Sequence, residues 1–395
     1  MPSREIDGPL LVFGPRSTSY DFGPSHPLTP RRFGPGIDLL RAVGAEPGLT
    51  PEPASDAELE WIHEPDYVAT VRALSSRAAP GLAGGLSASG YGLGPGDTPA
   101  FTGMHDAAAA VAGGSLRAME AILAGEVEHA FHPGGGLHHA MPRRASGFCV
   151  YDDPALAIAR ARREGLRVLY LDFDVHHGDG VQAIHWNDPE VVTISVHETG
   201  RALFPGTGFV NELGGPDARG SKLNVPLDPG TGERGWLAAI ERVVPEVADG
   251  FRPQIVVSQH GSDGHAWDPL AHLRLTTTAM GAAARLVDSI AHRWAGGRWL
   301  ATGGGGYDAY RVVPRVWSLV WLAGAHRVPP PRLPDAWLER WAPDAEAYGQ
   351  SPMPGGFEDP PNAGHPFGRA DDALDRRAAE AAEAALAAWR SGSGG

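Results

Sequence analysis

Short apolar runs recur along the chain with amphipathic stretches between them. Strand-like runs cover Pro9–Phe13, Val127–Phe131, Leu166–Phe173, Val191–His197, Gln254–Gln259 and Arg298–Thr302. Helix-like stretches fill the intervals at Gly103–Leu123, Pro154–Arg163, Gly235–Ala248, Thr276–Trp294 and Ala309–Ala323. This alternation predicts an α/β fold, a mostly parallel central sheet flanked by helices and joined by right-handed crossovers. In such sheets ligands sit beyond the carboxyl ends of the strands, and the polar clusters of this chain fall at those points.

The segment Ala78–Pro99 is rich in Gly, Pro and Ser and predicts a long surface loop, as do Phe204–Gly220 and Pro226–Gly235. From Val328 to Pro366 proline is dense and helical periodicity is lost; an Ala/Glu/Arg helix over roughly Ala370–Arg390 closes the chain. The expected organisation is one domain over residues 1–327 and a Pro-rich C-terminal appendage, 328–395, lying over its core and ending in a helix.

Composition narrows the choices. A chain of 395 residues with 42% hydrophobic content can bury a sizeable interior. A net charge of −14 argues against a nucleic-acid-binding surface and an anionic membrane partner. No basic, then apolar leader opens the sequence and no apolar run reaches membrane-spanning length, so a cytoplasmic protein is expected. Cys149 is the only cysteine, which excludes an intrachain disulfide and a multi-cysteine zinc site. Lys222 is the only lysine, so no other lysine can serve as a base.

The run Tyr170-Leu-Asp-Phe-Asp-Val-His-His-Gly-Asp-Gly180 ends a buried strand with three acids and two histidines. On an extended chain Asp172, Asp174 and His176 share one face while Phe173 and Val175 pack the other way. Burying that much charge is costly unless it is paired or binds metal. Three further clusters follow strands: Gly134-Gly-Gly-Leu-His138-His139-Ala, His260-Gly-Ser-Asp263-Gly-His265 and Gly303-Gly-Gly-Gly-Tyr307. Taken singly, a His-His pair is surface or core decoration and a glycine run is a turn. The glycine run also lacks the Lys-Ser/Thr pair of a phosphate loop.

Together these motifs, with Ala145-Ser-Gly-Phe-Cys149 and Phe204-Pro-Gly-Thr-Gly208, resemble the zinc-dependent histone deacetylase family over about residues 10–325. The stretch Ser258–Leu273 and the segment Ser25-His-Pro-Leu-Thr-Pro30 are similar to its bacterial acetoin-utilisation branch. The resemblance implies a single arginase/deacetylase-like domain and a metal site of Asp174, His176 and Asp263, which leaves a position open for water and substrate. Zinc is the implied metal; the oxygen-rich set also suits Fe²⁺ or Co²⁺. By the same resemblance His138 and His139 are the paired general base and acid, oriented by Asp172 and Asp179, and Tyr307 donates to the oxyanion.

Phe148 and Phe204, with Gly147 beside them, would wall the acyl-lysine channel, with Leu270 and Asp97 at its rim and Arg32 lining an inner passage. A potassium ion would lie on the Asp172 carboxylate, the Ser195 hydroxyl and backbone oxygens of Asp174, His176 and Val196. Asp152 departs from the Asn of many relatives. The activity implied is metal-dependent removal of acetyl groups from acetyl-lysine in a protein, or hydrolysis of an acetylpolyamine or another small acylated amine. A binuclear, arginase-like hydrolase would need a second Asp-x-Asp pair at the third cluster, where only Asp263 stands.

Overall fold

The computed structural model describes residues 8–77, 89–94, 96–360 and 371–392. Its eight strands are β1 (Leu10–Val12), β2 (Pro47–Leu49), β3 (His129–His132), β4 (Val168–Asp172), β5 (Val191–Glu198), β6 (Lys222–Leu227), β7 (Ile255–Gln259) and β8 (Trp299–Thr302). They form one sheet in the order β2-β1-β3-β8-β7-β4-β5-β6, and every pairing is parallel. The helices are α1 (Phe33–Ala42), α2 (Asp56–Leu59), α3 (Pro65–Arg77), α4 (Met104–Leu123), α5 (Asp153–Arg163), α6 (Asp179–Ile184), α7 (Glu233–Phe251), α8 (Thr277–Ala295), α9 (Val313–Gly324), α10 (Asp335–Ala347) and α11 (Asp372–Gly392).

Alternation within the strands divides the core between two faces. Leu169, Leu171 and Phe173 join the cluster under α7, α8 and α9, while Val168 and Tyr170 join the one under α4 and α5. Both faces are covered, which is why these strands read as continuous apolar runs.

The register then fixes where the chemistry lies. His132 pairs with Thr302, Thr302 with Gln259, Gln259 with Asp172, and Asp172 with Ser195. These residues form one row near the carboxyl ends of five adjacent strands. Each histidine, acid and glycine cluster begins just past it.

Several features differ from the sequence expectation: helices α1, α2, α3 and α6 lie where none was expected, and three further elements depart from it. Strand β2 is a three-residue Pro-Gly-Leu edge with no alternation to reveal it. Strand β6 closes the other edge, and its alternation of Leu223, Val225 and Leu227 was masked by Pro226, a residue tolerated at an edge. Helix α10 lies inside the segment expected to lose periodicity, with Pro343 in its interior and Trp337 and Ala345 buried. The expected loop Ala78–Pro99 lies mostly outside the described residues, as do residues 361–370.

Residues beyond 327 pack on the rest. Helix α11 buries Ala378, Ala382, Ala385 and Leu386 in the core cluster that also holds residues of α7 and β6. The Asp359 carboxylate, nearly enclosed, bonds Arg315 at 2.8 Å and the backbone N–H of Thr277 at 2.8 Å. Lys222, fully buried at the start of β6, donates to the Val191 carbonyl at 2.6 Å and to Ser221 Oγ at 2.8 Å.

Candidate active site

Asp172 ends β4, and the chain beyond it turns Asp174 and His176 inward while Phe173 and Val175 enter the core. His176 Nδ1 lies 3.1 Å from Asp174 Oδ1 and 3.1 Å from Asp263 Oδ2. All three side chains are buried and offer one ligand atom each to a common point. The donor atoms of a tetrahedral ion with bonds of about 2.0–2.1 Å stand roughly 3.3 Å apart, so the set fits such an ion. Burial and the neighbouring Asp174 push the Asp263 carboxyl up to about 6. A divalent cation would relieve that crowding of charge.

The ligands are held from behind. Gln259 Nε2 donates to Asp174 Oδ2 at 2.6 Å, Gly305 N–H to the same oxygen at 2.8 Å, and Val175 N–H to Asp263 Oδ1 at 3.0 Å. A Cβ on Gly305 would sit 1.9 Å from Asp263 Oδ2. Only glycine allows the backbone so close to these carboxylates.

His138 and His139 follow β3 and meet with their Nε2 atoms 3.1 Å apart. His138 Nδ1–H donates to Asp172 at 2.7 Å, and His139 Nδ1–H to Asp179 at 2.6 Å. Burial lowers the pKa of His138, but Asp172 and Asp174 outweigh it and raise the value to about 10. Burial and the charge on His138 together lower that of His139. The two environments therefore favour the charged ring at His138 and the neutral ring at His139. His177 turns away to bond Thr207 at 2.9 Å.

His138, His139, Asp174 and His176 line a pocket open to solvent, together with Leu28, Gly147, Phe148 and Tyr307. Tyr307 is buried, and burial with Asp263 and Asp174 nearby raises its phenol well above the ordinary value. The Phe148 and Tyr307 rings meet edge to face at 6.0 Å, and the exposed Phe204 ring stands 5.1 Å from His139.

Asp97 is exposed, and its Oδ2 accepts the N–H of Gly147, which lines the pocket, at 3.1 Å. Leu270 is half-buried and lies outside the pocket lining. Arg32 is buried and donates to the Gly304 carbonyl at 2.7 Å. Ser195 faces Asp172 in the strand register and bonds His197 Nδ1 at 2.8 Å.

Residues 26–323 match the histone deacetylase domain. The acetoin utilization protein AcuC of Bacillus subtilis (strain 168) is 39% identical over 382 residues, covering 96% of this chain and 97% of its own length. The chain belongs to the histone deacetylase family. Its branch is that of AcuC: the AcuC protein of Staphylococcus xylosus is 37% identical over 339 residues, covering 85% of this chain and 87% of its own. The crystal structure of a histone deacetylase homolog complexed with SAHA superposes with a TM-score of 0.82 at 28% identity, covering 95% of this chain and 100% of that one. A homolog from Aquifex aeolicus gives 0.80 at 27% identity, covering 94% of this chain and 99% of that one. The arginase/deacetylase fold expected from the motifs is the fold observed.

Several residues of this deacetylase site escaped the sequence reading. Leu28 reaches the pocket from the Ser25–Pro30 segment, whose resemblance to the branch was the available signal. Asp268 accepts the Tyr307 N–H at 2.8 Å, and Gln350 Nε2 donates to the Tyr307 carbonyl at 3.0 Å. Asp268 lies in the Ser258–Leu273 stretch that resembles the branch, which assigned it no role; Gln350 had no local signature. Among the described residues no helix is long and apolar enough to cross a membrane.

Proposed function

We propose that the chain hydrolyses the acetyl amide of acetyl-lysine in proteins, releasing acetate and the free lysine. The observation that supports this most is the meeting, within one pocket, of the Asp174–His176–Asp263 set with two histidines each backed by its own aspartate. A divalent ion on that set, zinc by family, would polarise the amide carbonyl and acidify a water.

The protein's own groups would do the rest. The neutral imidazole of the His138–His139 pair takes the proton of the attacking water. The protonated one gives its proton to the leaving amine as the C–N bond breaks. The Tyr307 hydroxyl, kept protonated, donates to the oxygen that becomes negative. Gly147, Phe148 and Phe204 form an apolar passage suited to a lysine stem, and they exclude water from the amide. By family, the oxygens of Asp172 and Ser195, with the carbonyls of Asp174, His176 and Val196, would hold a potassium ion.

Acetate release from an acetyl-lysine peptide tests the reading, using chelated protein, protein restored with one equivalent of Zn²⁺ or Fe²⁺, and Asp174→Ala. Metal-restored turnover that the variant lacks is expected. Turnover of N-acetylputrescine alone would instead make the substrate a small acylated amine. Metal binding with neither amide cleaved would overturn the proposal.

A further inference from the structure

A second convergence of ligand atoms lies at the opposite end of the sheet. His129 opens β3, Asp288 and His292 stand one turn apart on α8, and His326 follows the end of α9. The Nε2 atoms of His129 and His292 are 3.2 Å apart, and those of His292 and His326 are 3.1 Å apart. Asp288 Oδ1 lies 3.2 Å from His326 Nε2, 3.4 Å from His129 Nε2 and 3.5 Å from His292 Nε2. All four atoms fall within 4.8 Å of one another.

Hydrogen bonding alone accounts poorly for this arrangement. A neutral imidazole Nε2 carries either one N–H or one lone pair. If all three nitrogens donate to Asp288, their N–H groups crowd one another at 3.1–3.2 Å. If His292 Nε2 is instead the acceptor, His129 and His326 can both donate to it, but its lone pair then faces the Asp288 carboxylate at 3.5 Å. A cation at the common point would engage all four atoms at once. The five measured edges, 3.1–3.5 Å, match the roughly 3.3–3.5 Å expected between ligands of a tetrahedral ion with N and O donors.

The rings are placed for ligation, not stacking. His129 meets His292 at 90° and His326 at 87°, and His292 and His326 are tilted by 53°, so no two of the rings stack face to face. His326 has φ of +54°, a left-handed conformation at the helix end where glycine is the cheaper residue. That conformation presents its ring to α8.

We propose that His129, Asp288, His292 and His326 form a second divalent-cation site, of zinc class, separate from the catalytic centre. Four protein ligands leave no open position, so the ion is structural. It ties β3, α8 and the turn after α9 together at the amino end of the sheet. His292 and His326 are exposed, giving the ion an entry from solvent. Imidazole with one carboxylate also suits Co²⁺, Ni²⁺ and Cu²⁺.

The test is metal counting on full-length, tag-free protein that has been stripped with chelator, reloaded with Zn²⁺ and freed of excess. Two equivalents are expected for the wild type, one for Asp174→Ala, and one for the His292→Gln/His326→Asn pair. None is expected when the three substitutions are combined. Asn tolerates the left-handed backbone at 326, and both positions are exposed, so the paired variant should fold. It should keep the wild-type rate of acetate release, and adding the pair to Asp174→Ala should abolish the thermal stabilisation that Zn²⁺ gives Asp174→Ala alone. Loading Asp174→Ala with Co²⁺ should give the intense visible bands of a tetrahedral ion, absent from the combined variant. An Asp174→Ala protein that binds no ion overturns the site. So does an equivalent that survives replacement of both histidines.

Discussion

Asp268 holds the backbone of Tyr307: one carboxylate oxygen accepts the Tyr307 N–H at 2.8 Å, and the other accepts the Leu270 N–H at 3.0 Å. The glycine run before Tyr307 cannot fix the ring by packing of its own side chains, so this carboxyl does so from outside. Asp268→Ala should lower kcat by roughly tenfold, the equivalent of one hydrogen bond of about 1–1.5 kcal/mol. Metal content should not change, and Asp268→Asn, which keeps one acceptor, should recover part of the loss. A wild-type kcat in the alanine variant would remove Asp268 from the account.

Removing the Tyr307 hydroxyl is the larger intervention. Tyr307→Phe should reduce turnover by about 10²–10³. The Phe148 ring contact and the bound metal should remain. Steady-state acetate release together with metal analysis checks this, and a loss below tenfold would argue against an oxyanion donor.

Gly147 shapes the passage. Its φ is +52°, and a Cβ there would lie 2.4 Å from His139 Cδ2 and 2.8 Å from the Phe204 ring. Gly147→Ala should therefore displace both rings. Acetyl-lysine peptide turnover should fall by at least tenfold while Zn²⁺ affinity holds. Calorimetry of Zn²⁺ binding beside peptide kinetics separates the two effects.

The Asp359–Arg315 pair makes stability depend on pH. Burial pushes the Asp359 carboxyl up, but His265 and Arg315 outweigh it and hold it well below the ordinary carboxylate range. A carboxyl depressed in the folded state contributes stability that is full above its unfolded value of about 4 and is lost as pH falls below that. Asp359→Ala leaves Arg315, fully buried, without its counter-charge and should cost about 3–5 kcal/mol. Denaturation at pH 7 and pH 3 should show the difference between wild type and variant shrinking in acid. An equal difference at both would refute the linkage.

What the sequence disclosed depended on how local each signal was. Strands β4, β7 and β8 are buried on both faces and announce themselves by apolar content alone. The Asp172–Asp179 run encodes its own geometry, because strand alternation sorts its side chains. Helix α10 was hidden by Pro343, although Trp337, Trp341 and Ala345 keep a four-residue spacing. Asp268 acts on a backbone N–H 39 residues away, and Asp359 on a guanidinium 44 residues earlier. Nothing near either residue marks such a partner. His129 and His292, 163 positions apart, become neighbours only because β3 pairs with β8 and α8 packs beside them.

The burial of Lys222 has a consequence for the protein's own chemistry. It is the only lysine in the sequence, and its amine is enclosed and hydrogen-bonded. The folded surface therefore offers reactive acetyl donors no lysine side chain to modify. If the chain acts on acetyl-lysine as proposed, its own folded surface would be exempt from that modification.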